Sequence, residues 1–82
     1  MSDDDIRKRL REFVSKNFYM ADPQGFTDQT SFLDQGIIDS TGVLELVSFV
    51  EGEWRIAVAD DDMVPANFDS IDALVKFVSA KQ

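Results

Sequence analysis

The pair Asp39-Ser40 is the point in this sequence where side-chain chemistry is best supported by its surroundings. An apolar stretch ends at Ile38, and an amphipathic helix is predicted to begin at Ser40. Asp39 is predicted to be the N-cap, because its carboxylate can accept hydrogen bonds from free N–H groups of the first turn. The Ser40 hydroxyl then lies at the positive end of the helix dipole, a position that accommodates a phosphate. By itself, an Asp-Ser pair most often marks only a helix cap.

The composition limits the chemistry that this chain can perform alone. Its 82 residues include no cysteine and no histidine, which removes disulfides, thiolate metal sites, the usual general base and the Ser-His-Asp triad. Asp60 and Asp62 have the spacing of a calcium loop, but Val64 and Pro65 occupy its fifth and sixth positions and no glutamate closes it. We therefore predict that the protein is not an enzyme and has no metal site.

The charge distribution is strongly acidic around Ser40. The formal net charge is -8, and no basic residue lies between Lys16 and Arg55. Such a surface repels nucleic acid and attracts basic protein surfaces, although acidity also serves solubility alone. No apolar run has transmembrane length, and the acidic N-terminal sequence is unlike a signal peptide. The sequence therefore predicts a cytoplasmic protein that has neither a nucleic-acid nor a membrane partner.

Apolar residues at helical spacing predict three long amphipathic helices and one short helix. The predicted spans are about Asp3 to Phe18 after a Ser2–Asp5 capping box, Ser40 to Trp54, a short segment from Asp60 to Phe68 with Pro65 in its first turn, and a last helix that begins after a cap at Asp69 or Ser70. Their apolar stripes can be buried only if the helices close around a shared centre. We therefore predict a single domain, residues 1–82, in the all-α class: a four-helix bundle with a long first loop.

The connection between the first two long helices is predicted to pack over the core. It carries Phe26, Phe32 and Leu33, which make it too apolar for a free loop. The sequence Asp22-Pro23-Gln24-Gly25 within it is typical of a turn. Gly36 is predicted to supply a positive φ shortly before Ser40.

Two stripes run along the predicted second helix. The inward stripe is apolar and consists of Val43, Leu46, Val47, Val50 and Trp54. Leu44 and Ser48 lie on another face, flanked by Thr41 and Glu45. An exposed leucine beside acids favours a docking face, although a single surface leucine needs no functional explanation. Gly42 is small enough to allow a close approach near the serine.

The residues from Phe32 to Ser40, followed by Val43-Leu44-Glu45-Leu46-Val47, resemble the acyl carrier protein family, and the match extends to about Val78. In that family the serine after the aspartate carries 4′-phosphopantetheine. The resemblance implies that a phosphopantetheinyl transferase attaches this group covalently to Ser40 from coenzyme A, and that Asp39 helps the transferase to recognise the site. It also implies a small helical bundle. Thr41, Leu44, Glu45 and Ser48 match family positions that face partner enzymes.

The function implied by the resemblance is that of a monomeric carrier. It would hold acyl or aminoacyl intermediates as thioesters for a dissociated fatty-acid, polyketide or related pathway. Its partners would be an acyl- or aminoacyl-loading ligase and downstream synthase enzymes. Thr41, Gly42 and Gly52 differ from the commonest family residues, and the pattern is more similar to discrete carriers of dedicated pathways, D-alanyl carriers among them. The alternatives are a D-alanyl or peptidyl-type carrier, or an acidic helical interaction module without a prosthetic group.

Overall fold

The computed structural model describes residues 2–19 and 23–81, with Pro23 and Ser40 described by their backbones alone. It contains the helices α1 (Asp3–Asn17), α2 (Ser40–Trp54), α3 (Pro65–Phe68) and α4 (Ile71–Lys81), together with 3₁₀ turns at Pro23–Gly25 and Asp60–Asp62. No strand occurs within these described residues. The predicted fold class, an all-α bundle of three long helices and one short helix with a long first loop, is confirmed.

Helix α1 begins where its N-cap predicts. The Ser2 hydroxyl accepts a hydrogen bond from the Asp5 N–H at 3.3 Å. The helix ends one residue earlier than predicted, because Phe18 is extended while its N–H still donates to the Val14 carbonyl. Its inward residues are fully buried against α4 and the core: Ile6, Leu10 and Val14.

Helix α2 has the predicted bounds and the predicted inward face. Leu46 and Val50 are fully buried, and Val43 is partly buried against the same core. The Trp54 ring is 8% exposed and packs edge-on against Phe49, with ring centroids 5.6 Å apart. The core-facing stripe inferred from helical spacing is therefore present along the whole helix.

The C-cap of α2 has a conformation that the sequence does not indicate. Arg55 lies in the left-handed region, at φ 53° and ψ 48°. Glycine usually occupies such a position, because a Cβ atom makes the conformation unfavourable. The helix therefore ends on a locally strained residue.

The prediction of one short helical segment from Asp60 to Phe68 is wrong in detail. A 3₁₀ turn at Asp60–Asp62 and helix α3 are separated by Met63 and Val64. Val64 is extended, at φ -122° and ψ 154°, because the ring of the following proline disfavours helical backbone in the residue before it. Pro65 therefore starts a new helix instead of continuing the earlier turn.

The start of α4 decides between the two predicted caps. The Ser70 hydroxyl accepts from the Ala73 N–H at 3.1 Å, so Ser70 is the cap and the Asp69 carboxylate has other partners. The inward residues of α4 are all buried: Ile71, Leu74, Val75, Phe77 and Val78.

The first loop packs over the core, as predicted, through two of its three large apolar residues. Phe26 is 7% and Phe32 1% exposed, and their rings stack with centroids 6.1 Å apart. The prediction for Leu33 is wrong, because its side chain is 49% exposed. Gly36 has the predicted positive φ, at 66°. Of the predicted turn, Asp22 lies outside the described residues, and the other three residues form the first 3₁₀ turn.

Asp28 ties the first loop to two helices. Its carboxylate lies 2.7 Å from Arg7 Nε and 2.5 Å from Arg11 Nη1, both on α1. Its carbonyl accepts from the Asp72 N–H in the first turn of α4 at 2.9 Å. The Arg11 guanidinium also lies 4.9 Å from the centroid of the Phe26 ring. The loop is therefore held by charge, by main-chain hydrogen bonding and by apolar burial together.

The two glycines inside α2 allow a matched test of packing near Ser40. A Cβ atom on Gly42 would lie 2.8 Å from Ile38 Cγ2 and 2.9 Å from Phe18 Cε1, whereas one on Gly52 would meet nothing within 4 Å. We expect Gly52→Ala to raise the free energy of unfolding by about 0.5–1 kcal/mol, the usual helix preference for alanine. We expect Gly42→Ala to lower it by about 1 kcal/mol, since overpacking outweighs that gain. Urea unfolding measures both changes, and a stabilising Gly42→Ala would contradict the close packing.

Candidate functional site

The start of α2 is built by a short local cap. Asp39 has extended backbone, and its Oδ1 accepts from the Gly42 N–H at 2.8 Å. Ser40 is the first residue of the helix. Asp39 and Thr41, its neighbours on both sides, are exposed. The helix therefore presents its N-terminus at the surface, with one first-turn N–H satisfied by the cap.

The residues that sequence analysis assigned to partner contacts lie on one outward stripe of α2. Thr41, Leu44, Glu45 and Ser48 are all exposed, and Leu44 is 56% exposed. Positions three and four residues apart share a helix face, so the stripe extends from the first turn of α2 to its middle. The structure thus brings these four residues together, on the side opposite the core.

An apolar groove of about 260 Å³ lies beside this stripe. Its walls come from the first loop, the start of α2 and the α3 region; the lining residues are Phe32, Leu33, Ile38, Val43, Leu44, Met63, Val64, Pro65, Phe68 and Asp69. Ile38 precedes Ser40 by two residues, and Val43 and Leu44 follow it within one helical turn. Among the described residues that line the groove, Asp69 is the only charged one. The groove is therefore an apolar surface that adjoins the N-terminus of α2.

Most of the markedly exposed large hydrophobic residues in the described part of the chain lie at the rims of the groove. Four large hydrophobic residues in the described part of the chain are markedly exposed, and three of them line the groove: Leu33, Leu44 and Val64. The sequence pattern predicts the exposure of Leu44 but not that of Leu33, which is expected in the core, and it indicates no role for Val64. Only the proline after Val64 hinted that this residue leaves the helical path.

The carboxylates of α2 are not equally available to a partner. Glu51 Oε2 accepts from the Val58 N–H at 3.0 Å, and Glu53 forms an ion pair with Arg9 of α1. Within the described residues, Glu45 is the one carboxylate of α2 that makes no such contact. Glu51 and Glu53 are therefore engaged within the fold, and Glu45 is the most available carboxylate of the three.

Asp62 holds the turn that leads into the α3 wall of the groove. Its carboxylate accepts from the Ala59 N–H at 3.1 Å and lies 3.1 Å from the Lys81 ammonium at the end of α4. The hydrogen bond from Ala59, followed by the one from Lys81, lowers the pKa of Asp62 below its ordinary value of 3.8. The ionised carboxylate is therefore the form that this part of the fold favours.

This lowered pKa predicts a pH dependence of stability. The Asp62 contribution is present above the pKa of the unfolded chain and is lost as the pH falls through the lower pKa of the folded state. We expect Asp62→Asn to destabilise the fold at about pH 6 and to have a much smaller effect at about pH 2. Urea unfolding at both pH values measures the difference. The matched control is Asp61→Asn, which removes the same charge from an exposed neighbour; equal pH dependence in both variants would contradict the assignment.

Two further features bear on the class of site. Among the described residues, no group of three or more His, Cys, Asp or Glu side chains could hold a metal ion. In the same part of the chain, no helix combines the length and the apolar character needed to cross a bilayer. The candidate site in the described part of the chain is the exposed helix start with its adjoining apolar groove.

Comparison with known proteins identifies the family to which this arrangement belongs. The chain is 34% identical over 77 residues to an acyl carrier protein of Caulobacter vibrioides, covering 94% of this chain and 95% of that protein. It is 31% identical over 77 residues to an acyl carrier protein of Phenylobacterium zucineum, covering 94% of each. A probable acyl carrier protein of a Serratia species, PigG, is 25% identical over 73 residues, 89% of this chain and 84% of that protein. No family model matches the sequence.

The described part of the chain is a small all-α bundle in which an exposed helix start adjoins an apolar groove. The chain belongs to the acyl carrier protein family. Its role is therefore that of a carrier.

Proposed function

We propose that this protein carries acyl groups as thioesters on a 4′-phosphopantetheine arm attached to Ser40. The observation that carries the proposal is the position of Ser40, at the surface-exposed start of α2 and flanked in sequence by the groove residues Ile38, Val43 and Leu44. Membership of the acyl carrier protein family supports a prosthetic group of this kind in general.

The residues at the start of α2 fit a phosphate linkage. The helix dipole and the first-turn N–H groups favour a negative group there, and the Asp39 carboxylate accepts a hydrogen bond from the Gly42 N–H. The Ser40 oxygen would form the new bond to phosphorus, while the adenosine bisphosphate part of coenzyme A leaves. The base that accepts the hydroxyl proton would come from the transferase, since the chain contains no histidine. The bound arm supplies a terminal thiol, which holds the cargo as a thioester.

The groove lining favours an acyl cargo over an aminoacyl one. Nine of its ten lining residues are apolar, and both oxygens of Asp69 accept hydrogen bonds from the first loop. An apolar chain that enters the groove would remove the exposed faces of Leu33, Leu44 and Val64 from water, at about 25 cal/mol per Å² buried. A cargo with an ammonium group would find no unpaired carboxylate among the described residues of this lining.

The outward stripe of α2 is the proposed docking face for partner enzymes. These partners would be the phosphopantetheinyl transferase, an acyl-loading ligase and downstream synthase enzymes of a dissociated pathway. Leu44 offers an apolar contact at the groove rim. The next residue, Glu45, offers a carboxylate that forms no ion pair or hydrogen bond with another described residue. Rim charges mainly accelerate encounter and leave complexes weak, which suits a carrier that must visit several enzymes in turn.

The attachment site can be tested by mass. After exposure to coenzyme A and a broad-specificity phosphopantetheinyl transferase, the wild-type protein should gain one phosphopantetheine group, and Ser40→Ala should gain none. The matched control is Ser48→Ala, which removes an exposed hydroxyl from the same helix and should still be modified. Circular dichroism checks that both variants fold. A wild-type protein that stays unmodified would favour the acidic interaction module, and a modified Ser40→Ala would move the site elsewhere.

The docking face can be tested by transfer kinetics. Glu45→Lys should slow modification by the transferase and flatten its dependence on ionic strength, because the charge contributes to encounter. Leu44→Ala should raise the apparent KM and change the free energy of unfolding by no more than about 0.5 kcal/mol, the usual range for an exposed position.

The control for net charge is Glu12→Lys, which makes the same change on the exposed surface of α1. It should leave the rate and its salt dependence close to those of the wild type. Equal slowing by Glu12→Lys and Glu45→Lys would assign the effect to overall charge and remove α2 as the docking face.

A further inference from the structure

Asp69 joins the junction between α3 and α4 to three consecutive residues of the first loop. Its Oδ1 accepts from the Leu33 N–H at 2.9 Å, and its Oδ2 accepts from the Ser31 hydroxyl at 2.5 Å. Its main-chain carbonyl accepts from the Phe32 N–H at 2.8 Å. The same residue also lines the groove. One residue therefore fixes a loop that lies more than thirty positions away in the sequence.

The hydrogen bonding continues from this junction toward Ser40. The Phe32 carbonyl accepts from the Ile37 N–H at 2.9 Å and from the Ile38 N–H at 3.5 Å. The Leu33 carbonyl accepts from the Gly36 N–H at 3.2 Å. Residues 31–38 thus form a compact turn, anchored at Asp69 and ending one residue before the Asp39 cap.

Asp69 also connects the two walls of the groove that face α2. Its N–H donates to the Pro65 carbonyl at 3.0 Å, which closes the end of α3. Leu33 forms the loop rim of the groove, and Pro65 and Phe68 belong to the α3 wall. Because both walls are bonded to the same residue, they are held as one frame, and the groove opens between this frame and α2.

We infer that Asp69 is a positioning residue that latches the loop rim of the groove and thereby determines how well the groove shelters a chain attached at Ser40. The inference rests on the proposed function for the nature of that chain. The rest of the loop does not depend on the Asp69 carboxylate, because Phe26 and Phe32 are buried, Asp28 is paired with Arg7 and Arg11, and the Phe32 N–H is bonded to the main chain of Asp69. Loss of the Asp69 carboxylate therefore frees the rim while the loop remains attached.

The first test uses the protein without its arm and measures amide hydrogen exchange by NMR. In Asp69→Ala, the Leu33 amide loses its acceptor, and it should exchange about tenfold faster than the change in global stability accounts for, the size expected for one hydrogen bond to a charged group. Asp69→Asn keeps a side-chain oxygen for this amide and should restore most of the protection. The matched control is Ser70→Ala, which removes the adjacent α4 cap and should leave the Leu33 amide protected. Equal exchange at Leu33 in Asp69→Ala and Ser70→Ala, after correction for global stability, would overturn the inference.

The second test attaches arms that carry acyl chains of increasing length and measures thioester hydrolysis. In the wild type and in Ser70→Ala, longer chains should hydrolyse more slowly than the acetyl form. In Asp69→Ala this difference should be lost, and in Asp69→Asn it should largely return. An unchanged length dependence in Asp69→Ala would overturn the inference. If the wild type accepts no arm, the proposed function fails, and the exchange experiment alone then decides whether Asp69 is the latch.

Discussion

The architecture around the site depends on the burial of one ring, that of Phe32. The whole residue is 1% exposed, so its main-chain polar groups are removed from water together with the ring and must find partners inside the fold. They do so in two directions, toward Asp69 through the N–H and toward Ile37 and Ile38 through the carbonyl. Burial of the Phe32 ring is thus accompanied by a series of hydrogen bonds that extends from the α3–α4 junction to the start of α2. This path connects a wall of the groove with the segment that leads to Ser40.

Local rules account for the parts of the fold that were predicted well. The bounds of α2 follow from an apolar stripe at helical spacing and from a cap within three residues of its bond partner, Gly42. Ser2 and Ser70 act in the same local way at α1 and α4. The break before α3 also had a local cause, the steric effect of Pro65 on the residue before it, but apolar spacing alone did not reveal it. Helix caps and apolar spacing depend on residues that are close in the sequence, so both can be predicted from the sequence alone.

Contacts between distant segments explain what was missed. Asp69 reads as a possible helix cap, yet its carboxylate bonds a loop 36 and 38 residues away in the sequence. Leu33 is predicted from its apolar character to lie in the core, yet it lies at the rim of the groove. The groove has walls from three parts of the chain, so no single stretch of sequence could indicate it. The acids of α2 look equivalent in sequence, and only the positions of Arg9 and Val58 show that Glu53 and Glu51 are already engaged.

The left-handed conformation of Arg55 lowers the stability of the fold at one end of α2. A non-glycine residue in that region costs on the order of 1–2 kcal/mol, and the cost falls at the C-terminal end of α2. Ser40 stands at the opposite end, about 21 Å away along a helix of this length, and effects at such distances are usually independent. The two ends of α2 can therefore evolve separately. The strain at the C-terminal end could therefore be relieved, with a gain in thermal stability, without altering the N-terminal end where Ser40 lies.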